Sequence, residues 1–470
     1  MDWGKMRLVL LISAELICCV MGHFVFEVQH KYGGEGEAVL GAMRVHDLQR
    51  HGRNLAAIDF QLGGHYSPAL HSLYFTNITI GTPPVDYHVQ VDTGSDTLWV
   101  NCHDCETCPT KSEHGIEFKR YDLATSSTGK NITCDEEFCR AASSSPNTNC
   151  QAGRQCEYSV SYADGSRTGG YFVRDNLRFN QVTGNLQTSA MNGSIAFGCS
   201  MSEDPSKSVD GIVGFGRGNE SILSQLASSG KARKVFSHCL DGNRGGGIFA
   251  IGEVVDPKVN TTPLVPNVPH YNLNLKSVEV GGQFLNLSTD LSRRGTIIDS
   301  GASLAYLPSE VYRQLLDKMM SQHPDLQTRP EQGFTCFEYN GTLDDDFPIV
   351  NFHFEGSLVL PVHPRSYLFH FHDNVYCIGW QNSSMLSIDE REITLLGDIV
   401  LSDKLVVYDL ENQTIGWTEY NCSSSMRVRD EATGNVYGVA SHLISAATQT
   451  LFKPSFVTQL LLVVIAALIQ

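Results

Sequence analysis

The sequence VQVDTGSDTLWV at residues 89–100 recurs in a second version, TIIDSGASLAYL, at residues 296–307. In each version an apolar run ends at an Asp-Thr-Gly or Asp-Ser-Gly turn, and further apolar residues follow. The aspartates are Asp92 and Asp299. A single turn of this kind is weak evidence, since average composition produces one by chance in roughly one of several such chains. Two turns in the same setting indicate a duplicated unit.

Each aspartate is followed at long range by two apolar residues and a glycine. These elements are Ile-Val-Gly at residues 212–214 and Leu-Leu-Gly at residues 395–397. The glycines lie 122 residues (92 to 214) and 98 residues (299 to 397) beyond their aspartates, so the halves are comparable but not identical. We therefore expect an N-terminal lobe at 71–260 and a C-terminal lobe at 261–425.

Short alternating runs of apolar and polar residues recur from residue 74 to residue 420, which predicts a mainly β protein. The clearest helix is LPSEVYRQLLDKMMS. We expect Ser309 to be its N-cap, and Val311, Leu315 and Met319 to share its buried face.

Two aspartates held close together can hydrolyse a peptide bond without a metal or a covalent intermediate. One carboxylate takes a proton from water and the other polarises the carbonyl. At short distance they cannot both ionise, so they share one proton and titrate as a pair. Gly94 and Gly301 would allow tight turns in which backbone N–H groups reach the carboxylates.

At these residues the chain resembles the pepsin family of aspartic proteases, over roughly residues 72–422. It is most similar to the plant nepenthesin-like branch, and in particular to its members anchored by glycosylphosphatidylinositol (GPI). The resemblance is carried by a cysteine-rich insert at 102–156 and by DTGSDTLWV, DSGASLAYLP, DGIVGFGRG, LLGDIVL and VVYDLENQTIGW. It implies two pseudo-symmetric β lobes with a cleft between them, and a secreted aspartic endopeptidase without cofactor or metal. The implied substrate is an extended polypeptide segment.

The resemblance also implies a role for single residues. Asp92 and Asp299 match the catalytic pair. Thr93 and Ser300 match the residues whose hydroxyls cross-brace the loops, and Ser95 matches the residue whose hydroxyl hydrogen-bonds an aspartate. Tyr162 matches the tyrosine of the flap, and Trp99 matches its aromatic partner. The flap has support of its own, since β-like runs flank the turn residues Asp164 and Gly165. Without the family, Tyr162 and Trp99 could equally be packing aromatics.

Ala302 departs from the usual pattern of that family, in which many members carry Thr or Ser there. A hydroxyl beside Asp299 is therefore absent. A hydrogen bond to an ionised carboxylate lowers its pKa, and its absence should leave that pKa higher. We expect activity to persist at less acidic pH than in a relative that has the hydroxyl.

The chain ends indicate targeting and processing. Residues 1–22 have cations followed by an apolar stretch, as in a signal peptide, although a membrane-retained start fits the same pattern. Residues 23–70 resemble a propeptide, with an N-terminal arm kept in the mature protein as the alternative. Residues 426–445 would form a linker, and 446–470 a GPI signal with attachment near Ser445. A short transmembrane or interfacial tail is the alternative.

Cysteine usage indicates an oxidising compartment. Twelve of the 14 cysteines lie beyond the signal peptide, enough for up to six disulfides. They are Cys102, Cys105, Cys108, Cys134, Cys139, Cys150, Cys156, Cys199, Cys239, Cys336, Cys377 and Cys422. Zinc at residues 102–108 with His103 and His114 is the weaker alternative. The pairing of Cys336 with Cys377 is implied only by the family resemblance.

Ten Asn-X-Ser/Thr sequons are candidate glycosylation sites, and they fit a secreted protein. They are Asn77, Asn131, Asn192, Asn219, Asn260, Asn286, Asn340, Asn382, Asn412 and Asn421. The formal charge of −17 argues against nucleic acid as a partner. We expect a monomer on the extracellular face of the plasma membrane.

Two functions of other classes compete with the enzyme. A binding or inhibitor protein can keep the fold without cleaving peptides, and such relatives typically lose a catalytic aspartate or a flap residue. Here both aspartates and Tyr162 are present. A structural cell-wall glycoprotein would explain the sequons and the tail, but not the paired aspartate loops.

Overall fold

Strands dominate the computed structural model, which describes residues 55–64, 74–111, 117–142, 150–203, 210–288, 291, 295–386 and 392–444. The expected signal peptide, the helical part of the expected propeptide, Ser445 and the tail at 446–470 lie outside these residues. Within them, no helix is long and apolar enough to cross a membrane.

The strands and helices of the described residues are numbered in chain order. The strands are β1 (Ile58–Gly64), β2 (Tyr74–Ile80), β3 (Val85–Asp92), β4 (Trp99–Asn101), β5 (Lys130–Asn131), β6 (Glu157–Ser161), β7 (Arg167–Gly184), β8 (Gln187–Glu203), β9 (Gly211–Gly214), β10 (Val235–Leu240), β11 (Gly247–Ile251), β12 (Glu253–Asp256), β13 (Asn260–Pro263), β14 (Asn272–Leu273), β15 (Leu275–Val280), β16 (Gln283–Phe284), β17 (Thr296–Ile298), β18 (Ala305–Leu307), β19 (Arg329–Glu331), β20 (Phe334–Glu338), β21 (Val350–Phe354), β22 (Val359–Val362), β23 (Leu368–His372), β24 (Val375–Ile378), β25 (Trp380–Asn382), β26 (Thr394–Leu396), β27 (Lys404–Asp409), β28 (Thr414–Glu419), β29 (Ser425–Arg429) and β30 (Val436–Ala440). The helices are α1 (Glu137–Ala141), α2 (Ile222–Ser228), α3 (Ser309–Met320), α4 (Leu343–Asp346) and α5 (Asp398–Leu401), with 3-10 turns at Glu355–Ser357, Pro364–Ser366 and Ser383–Met385.

The largest sheet contains 14 strands, and its centre runs β10-β11-β1-β2-β3-β9-β4-β8-β7. Along β2, fully buried side chains alternate with half-buried ones, as expected where one face of a strand covers the core. All residues of β9, β10 and β11 are buried, so both faces of these strands are covered. The mainly β, two-lobed prediction is confirmed.

The predicted duplication is visible in the strand register. In the first half β3 runs parallel to β9, and Asp92 lies opposite Gly214. In the second half β17 runs parallel to β26, and Ile298 lies opposite Leu396. The strand after each aspartate then pairs antiparallel with the same apolar element, through β4 and β9 in one half and β18 and β26 in the other.

The two halves also share strands. From the second half, β27 pairs antiparallel with β10, and β28 and β13 continue the first sheet beyond it. A boundary drawn at residue 260 therefore does not separate two independent sheets. Pairing across this boundary holds the two aspartate loops in one rigid framework.

The prediction of a linker at 426–445 was wrong for its described residues. Strands β29 and β30 form an antiparallel hairpin, and β29 also pairs with β12. The reason is the alternation in SMRVR, which buries Met426 and Val428 against Val439. Gly434 provides the positive φ of 73° that the connecting turn requires.

Strand β1 lies within the segment that was predicted to be a propeptide. It pairs antiparallel with both β11 and β2 at the centre of the large sheet. Residues 442–444 also contact β1. His442 Nε2 lies 2.8 Å from Asp59 Oδ2, and the Ile444 N–H donates to the Leu62 carbonyl at 3.0 Å. Removal of every residue up to 70 would therefore take out a central strand.

Helix α3 buries Val311, Leu315 and Met319, as predicted. Its predicted N-cap was wrong, because Ser309 is the first helical residue and Pro308 precedes the helix. The Ser309 hydroxyl donates instead to Glu392 Oε1, and Asn382 Oδ1 lies 3.1 Å from the same hydroxyl oxygen.

Candidate active site

Both aspartates stand at the ends of buried strands and accept hydrogen bonds from their own turns. The Gly94 N–H donates to Asp92 Oδ1 at 2.7 Å, and the Gly301 N–H donates to Asp299 Oδ1 at 2.8 Å. The two carboxyl groups lie side by side, since a Cβ at Gly301 would stand 2.1 Å from Asp92 Oδ1 and 3.1 Å from Asp299 Oδ1. The structure thus brings together the pair that the sequence indicated, although the two residues are 207 positions apart (92 to 299).

Each loop glycine lies against the aspartate of the other loop. A Cβ on Gly94 would lie 2.6 Å from both carboxylate oxygens of Asp299, and a Cβ on Gly301 would lie 2.1 Å from Asp92 Oδ1. No side chain fits at either position, so glycine is required by contact between the loops and not by the turn alone.

Hydroxyl groups brace the two loops beneath the aspartates. The Ser300 N–H donates to Thr93 Oγ1 at 2.9 Å, and the Thr93 hydroxyl donates to the Ile298 carbonyl at 3.4 Å. In return the Ser300 hydroxyl donates to the Val91 carbonyl at 3.3 Å. Thr93 and Ser300 are fully buried, so these bonds are shielded from water and limit relative movement of the loops.

The two carboxyl groups have different surroundings. The Ser95 hydroxyl donates to Asp92 Oδ2. The equivalent position in the second loop is Ala302, which has no hydroxyl to offer. Burial, and then the nearby charge of Asp92, raise the pKa of Asp299 above its ordinary value. Asp299 therefore keeps a proton more readily than an exposed aspartate does.

The predicted flap is a hairpin. Strands β6 and β7 pair antiparallel up to Ser161 and Arg167, and the Gly165 N–H donates to the Tyr162 carbonyl at 3.0 Å in the turn. Gly165 has a φ of 84°, which explains the glycine. The indole N–H of buried Trp99 donates to the Tyr162 hydroxyl at 2.7 Å. Tyr162 is thereby tied to the strand that follows the Asp92 loop.

Two acidic residues near the pair lie inside the family motifs, but sequence reasoning gave them no role. Asp398 is 1% exposed, and burial, followed by the charges of Asp299 and Asp92, raises its pKa well above the ordinary value. Burial raises the pKa of Asp96 to about 6, although the Gly218 N–H donates to its Oδ1 at 2.6 Å. A carboxylate within an apolar motif was the only sequence signal for either residue.

All twelve cysteines of the described residues form disulfides. The pairs are Cys102–Cys199, Cys105–Cys108, Cys134–Cys150, Cys139–Cys156, Cys239–Cys422 and Cys336–Cys377. The last pair is the one that the family resemblance implied. The thiols of the alternative zinc site at residues 102–108 are consumed by two of these disulfides.

Most sequon asparagines are accessible. Eight of the ten are exposed, whereas Asn77 and Asn382 are half-buried. Glycans are compatible with the fold at the exposed positions.

Comparison with known proteins places these features in a family context. Two family models match the chain, one described as xylanase inhibitor N-terminal at residues 74–253 and one as xylanase inhibitor C-terminal at 270–419. Aspartic proteinase 36 of Arabidopsis thaliana is 46% identical over 455 residues, which cover 95% of this chain and 94% of that relative. Aspartic proteinase 39 of the same plant is 44% identical, with coverage of 97% and 96%. Aspartic proteinase nepenthesin-2 of Nepenthes gracilis is 27% identical, with coverage of 75% and 78%.

Solved structures share the fold. The crystal structure of edgp has a TM-score of 0.63 at 20% identity, covering 78% of this chain and 95% of that chain. Basic 7S globulin from soybean has a TM-score of 0.61 at 19% identity, with coverage of 78% and 96%. At such low identity the likeness concerns the fold alone.

Proposed function

Because this chain belongs to the plant aspartic proteinases, we propose that it is an endopeptidase in which Asp92 and Asp299 form the catalytic pair. The observation that carries the proposal is the mutual packing of each aspartate against the glycine of the other loop. That contact has a clear use only if two carboxyl groups must be held at short distance.

In the proposed mechanism a water molecule bound between the carboxyl groups attacks the peptide carbonyl. Asp92 takes a proton from the water, and Asp299, whose pKa is raised, donates its proton toward the carbonyl oxygen. As the C–N bond of the resulting diol breaks, Asp92 donates the proton it took to the departing amine, and Asp299 takes a proton back from the diol hydroxyl as the carboxylic acid product forms. The two groups alternate as acid and base, so the chemistry asks for no covalent bond to the enzyme.

The proposed substrate is an extended polypeptide segment beneath the flap. The hairpin that carries Tyr162 projects from the long β7 strand, and its Trp99 contact orients it relative to the Asp92 loop. An extended segment matches a cleft bordered by strands, since its backbone can form hydrogen bonds along their edges.

A non-catalytic binding protein is the second candidate, because both matching family models carry the description of a xylanase inhibitor. The two candidates differ in what they require of the site. A binding protein has no need for a shared proton, for a glycine against each carboxylate, or for a tyrosine held on a hairpin. The intact site therefore favours the enzyme.

We further propose secretion, with GPI attachment near Ser445 to the outer face of the plasma membrane. Six disulfides and eight exposed sequons support passage through an oxidising compartment. Phosphatidylinositol-specific phospholipase C should release the protein from cells. Continued dependence on detergent, in cells where a known GPI-anchored protein is released, would contradict the anchor.

Maturation should spare strand β1. The Ala56 N–H donates to the Lys231 carbonyl at 2.7 Å, and the pairing of β1 with β11 begins at Ile58. We propose that any propeptide ends before Ala56. N-terminal sequencing of the active enzyme tests this, and a mature start beyond Ala56 would contradict it.

The catalytic proposal is tested by replacing each aspartate separately with asparagine. Both Asp92→Asn and Asp299→Asn should abolish cleavage of a denatured protein substrate while thermal unfolding shows a folded protein. Asp373→Asn is a matched control, since the Asp373 side chain is 94% exposed and its φ of 44° is one that asparagine accepts. Cleavage by either active-site variant at the wild-type rate would refute the proposal.

A further inference from the structure

Gln90 is a buried polar residue two positions before Asp92 on the same strand. Side chains alternate along a strand, so Gln90 and Asp92 project from the same face of β3. Gln90 is only 4% exposed, and its Nε2 donates to the carbonyl of Gly301 at 2.9 Å. A side chain of the first half thus holds the backbone of the second aspartate loop.

The residue that Gln90 holds is the one that touches both carboxyl groups. The Gly301 N–H donates to Asp299 Oδ1 at 2.8 Å, and the same residue lies against Asp92 Oδ1. A movement of Gly301 by a few tenths of an ångström would therefore lengthen one contact and compress the other. Holding the Gly301 carbonyl fixes the spacing of the pair.

Internal duplication shows that this contact is not a general requirement of the fold. The residue equivalent to Gln90 in the second half is Ile297, which also lies two positions before its aspartate. Ile297 is buried in a small apolar cluster with Ile393 and Leu395, and its side chain has no hydrogen-bond donor. The Gln90 contact therefore comes from the first half alone, whereas in the Thr93 and Ser300 contacts each half contributes a side chain to the other.

On the premise of the proposed peptidase function, we propose that Gln90 is a positioning residue that sets the geometry of the aspartate pair through Gly301. If the Gln90 amide were purely structural, its removal would lower the stability of the protein and leave kcat unchanged. If the amide positions the aspartate pair, its removal also slows the chemical step, because a misplacement of reacting groups by about 1 Å can lower the rate roughly 100-fold.

Two variants separate these roles. Gln90→Met has a similar volume but no donor, and should lower kcat by roughly 10- to 100-fold with KM within about twofold of wild type. In Gln90→Glu the protonated carboxyl can donate to the Gly301 carbonyl, whereas the ionised form cannot. Its kcat relative to wild type should therefore rise as pH falls.

Gln225→Met is the matched control. Gln225 is also buried in the first half, and its Nε2 donates to the carbonyls of Ala196 and Glu220 at 2.8 Å. This variant should lose stability but keep the wild-type kcat and pH profile.

The outcomes distinguish the positioning role from the proposed function. If wild type cleaves and Gln90→Met retains its kcat, the positioning role is overturned and the function stands. If Gln90→Met does not fold, a pH-independent kcat ratio for Gln90→Glu overturns the role, and a ratio that rises toward acid supports it. If folded wild type, freed of residues before Ala56, fails to cleave, both proposals fall.

Discussion

Gly301 lies against Asp92 so closely that a Cβ at Gly301 would stand 2.1 Å from Asp92 Oδ1. Gly301→Ala must therefore push the two loops apart. We expect kcat/KM to fall by more than about 100-fold, because both carboxyl groups lose their relative position. Steady-state cleavage of a denatured protein substrate at acid pH measures the effect.

Gly434→Ala is the control for the loss of a glycine. Gly434 has a φ of 73° in the β29–β30 turn, and a Cβ there would meet no atom within 4 Å. This change should cost about 1 kcal/mol of stability through backbone strain and leave kcat/KM unchanged. Near-normal activity of Gly301→Ala would show that the loop contact is not needed for catalysis.

The hydrogen bond between Trp99 and Tyr162 should matter to substrate binding and turnover. Trp99→Phe and Tyr162→Phe each remove it, and each should lower kcat/KM roughly tenfold, since an ordered flap positions the substrate. The double variant should be little worse than either single one, with a coupling energy of about 1 kcal/mol. Strictly additive losses in this double-mutant cycle would mean that the bond does not act in catalysis.

Ala302→Ser should move the pH profile of activity to lower pH. Burial and the charge of Asp92 raise the pKa of Asp299, and a new hydroxyl donor would favour its ionised form and lower that pKa. Because Asp299 must be protonated to act as the acid, its pKa sets the alkaline limb of the profile, and a net hydrogen-bond energy of about 1 kcal/mol corresponds to a downward shift of roughly half to one pH unit in that limb. Ala302→Gly alters the side chain without adding a donor and should leave the limb in place. An unchanged profile in Ala302→Ser would refute the explanation.

Asp96→Asn should change how stability depends on pH. Burial raises the pKa of Asp96 in the folded protein from 3.8 to about 6, so between these values the folded state binds more protons than the unfolded state. The free energy of unfolding of wild type therefore falls as pH rises through this window. Asparagine does not titrate, so the stability of Asp96→Asn relative to wild type should improve by about 2 kcal/mol between pH 4 and pH 7. Denaturant unfolding at both pH values measures it, and an equal difference at both would contradict the assignment.

The aspartate loops and the flap were predictable because each lies within a contiguous motif, and the apolar-apolar-Gly element after each aspartate indicated the duplication. Gly94 and Gly301 were recognised as turn residues, whereas their contact with the opposite aspartate appears only when the loops meet. Gln90 gave no usable signal for the same reason, since its partner Gly301 is 211 residues away. The β29–β30 hairpin was missed because five alternating residues are too few to separate a strand from a linker.

Strand β1 illustrates a different limit. Its sequence IDFQLGG was assigned to the propeptide because it precedes the first motif of the resemblance. Its place in the sheet depends on β11, which lies nearly 200 residues further along the chain, at Gly247–Ile251. Pairing over such a distance cannot be read from local propensity.

Cleavage of a denatured protein substrate from about pH 3 to about pH 7, with and without pepstatin, tests whether Asp92 and Asp299 act as a catalytic pair. The protein should be shown to be folded and free of the residues before Ala56. We predict cleavage that is strongest at acid pH, is blocked by pepstatin and is absent from Asp92→Asn. No cleavage by such protein at any pH, or cleavage that persists in Asp92→Asn, would contradict the assignment of Asp92 and Asp299 as a catalytic pair.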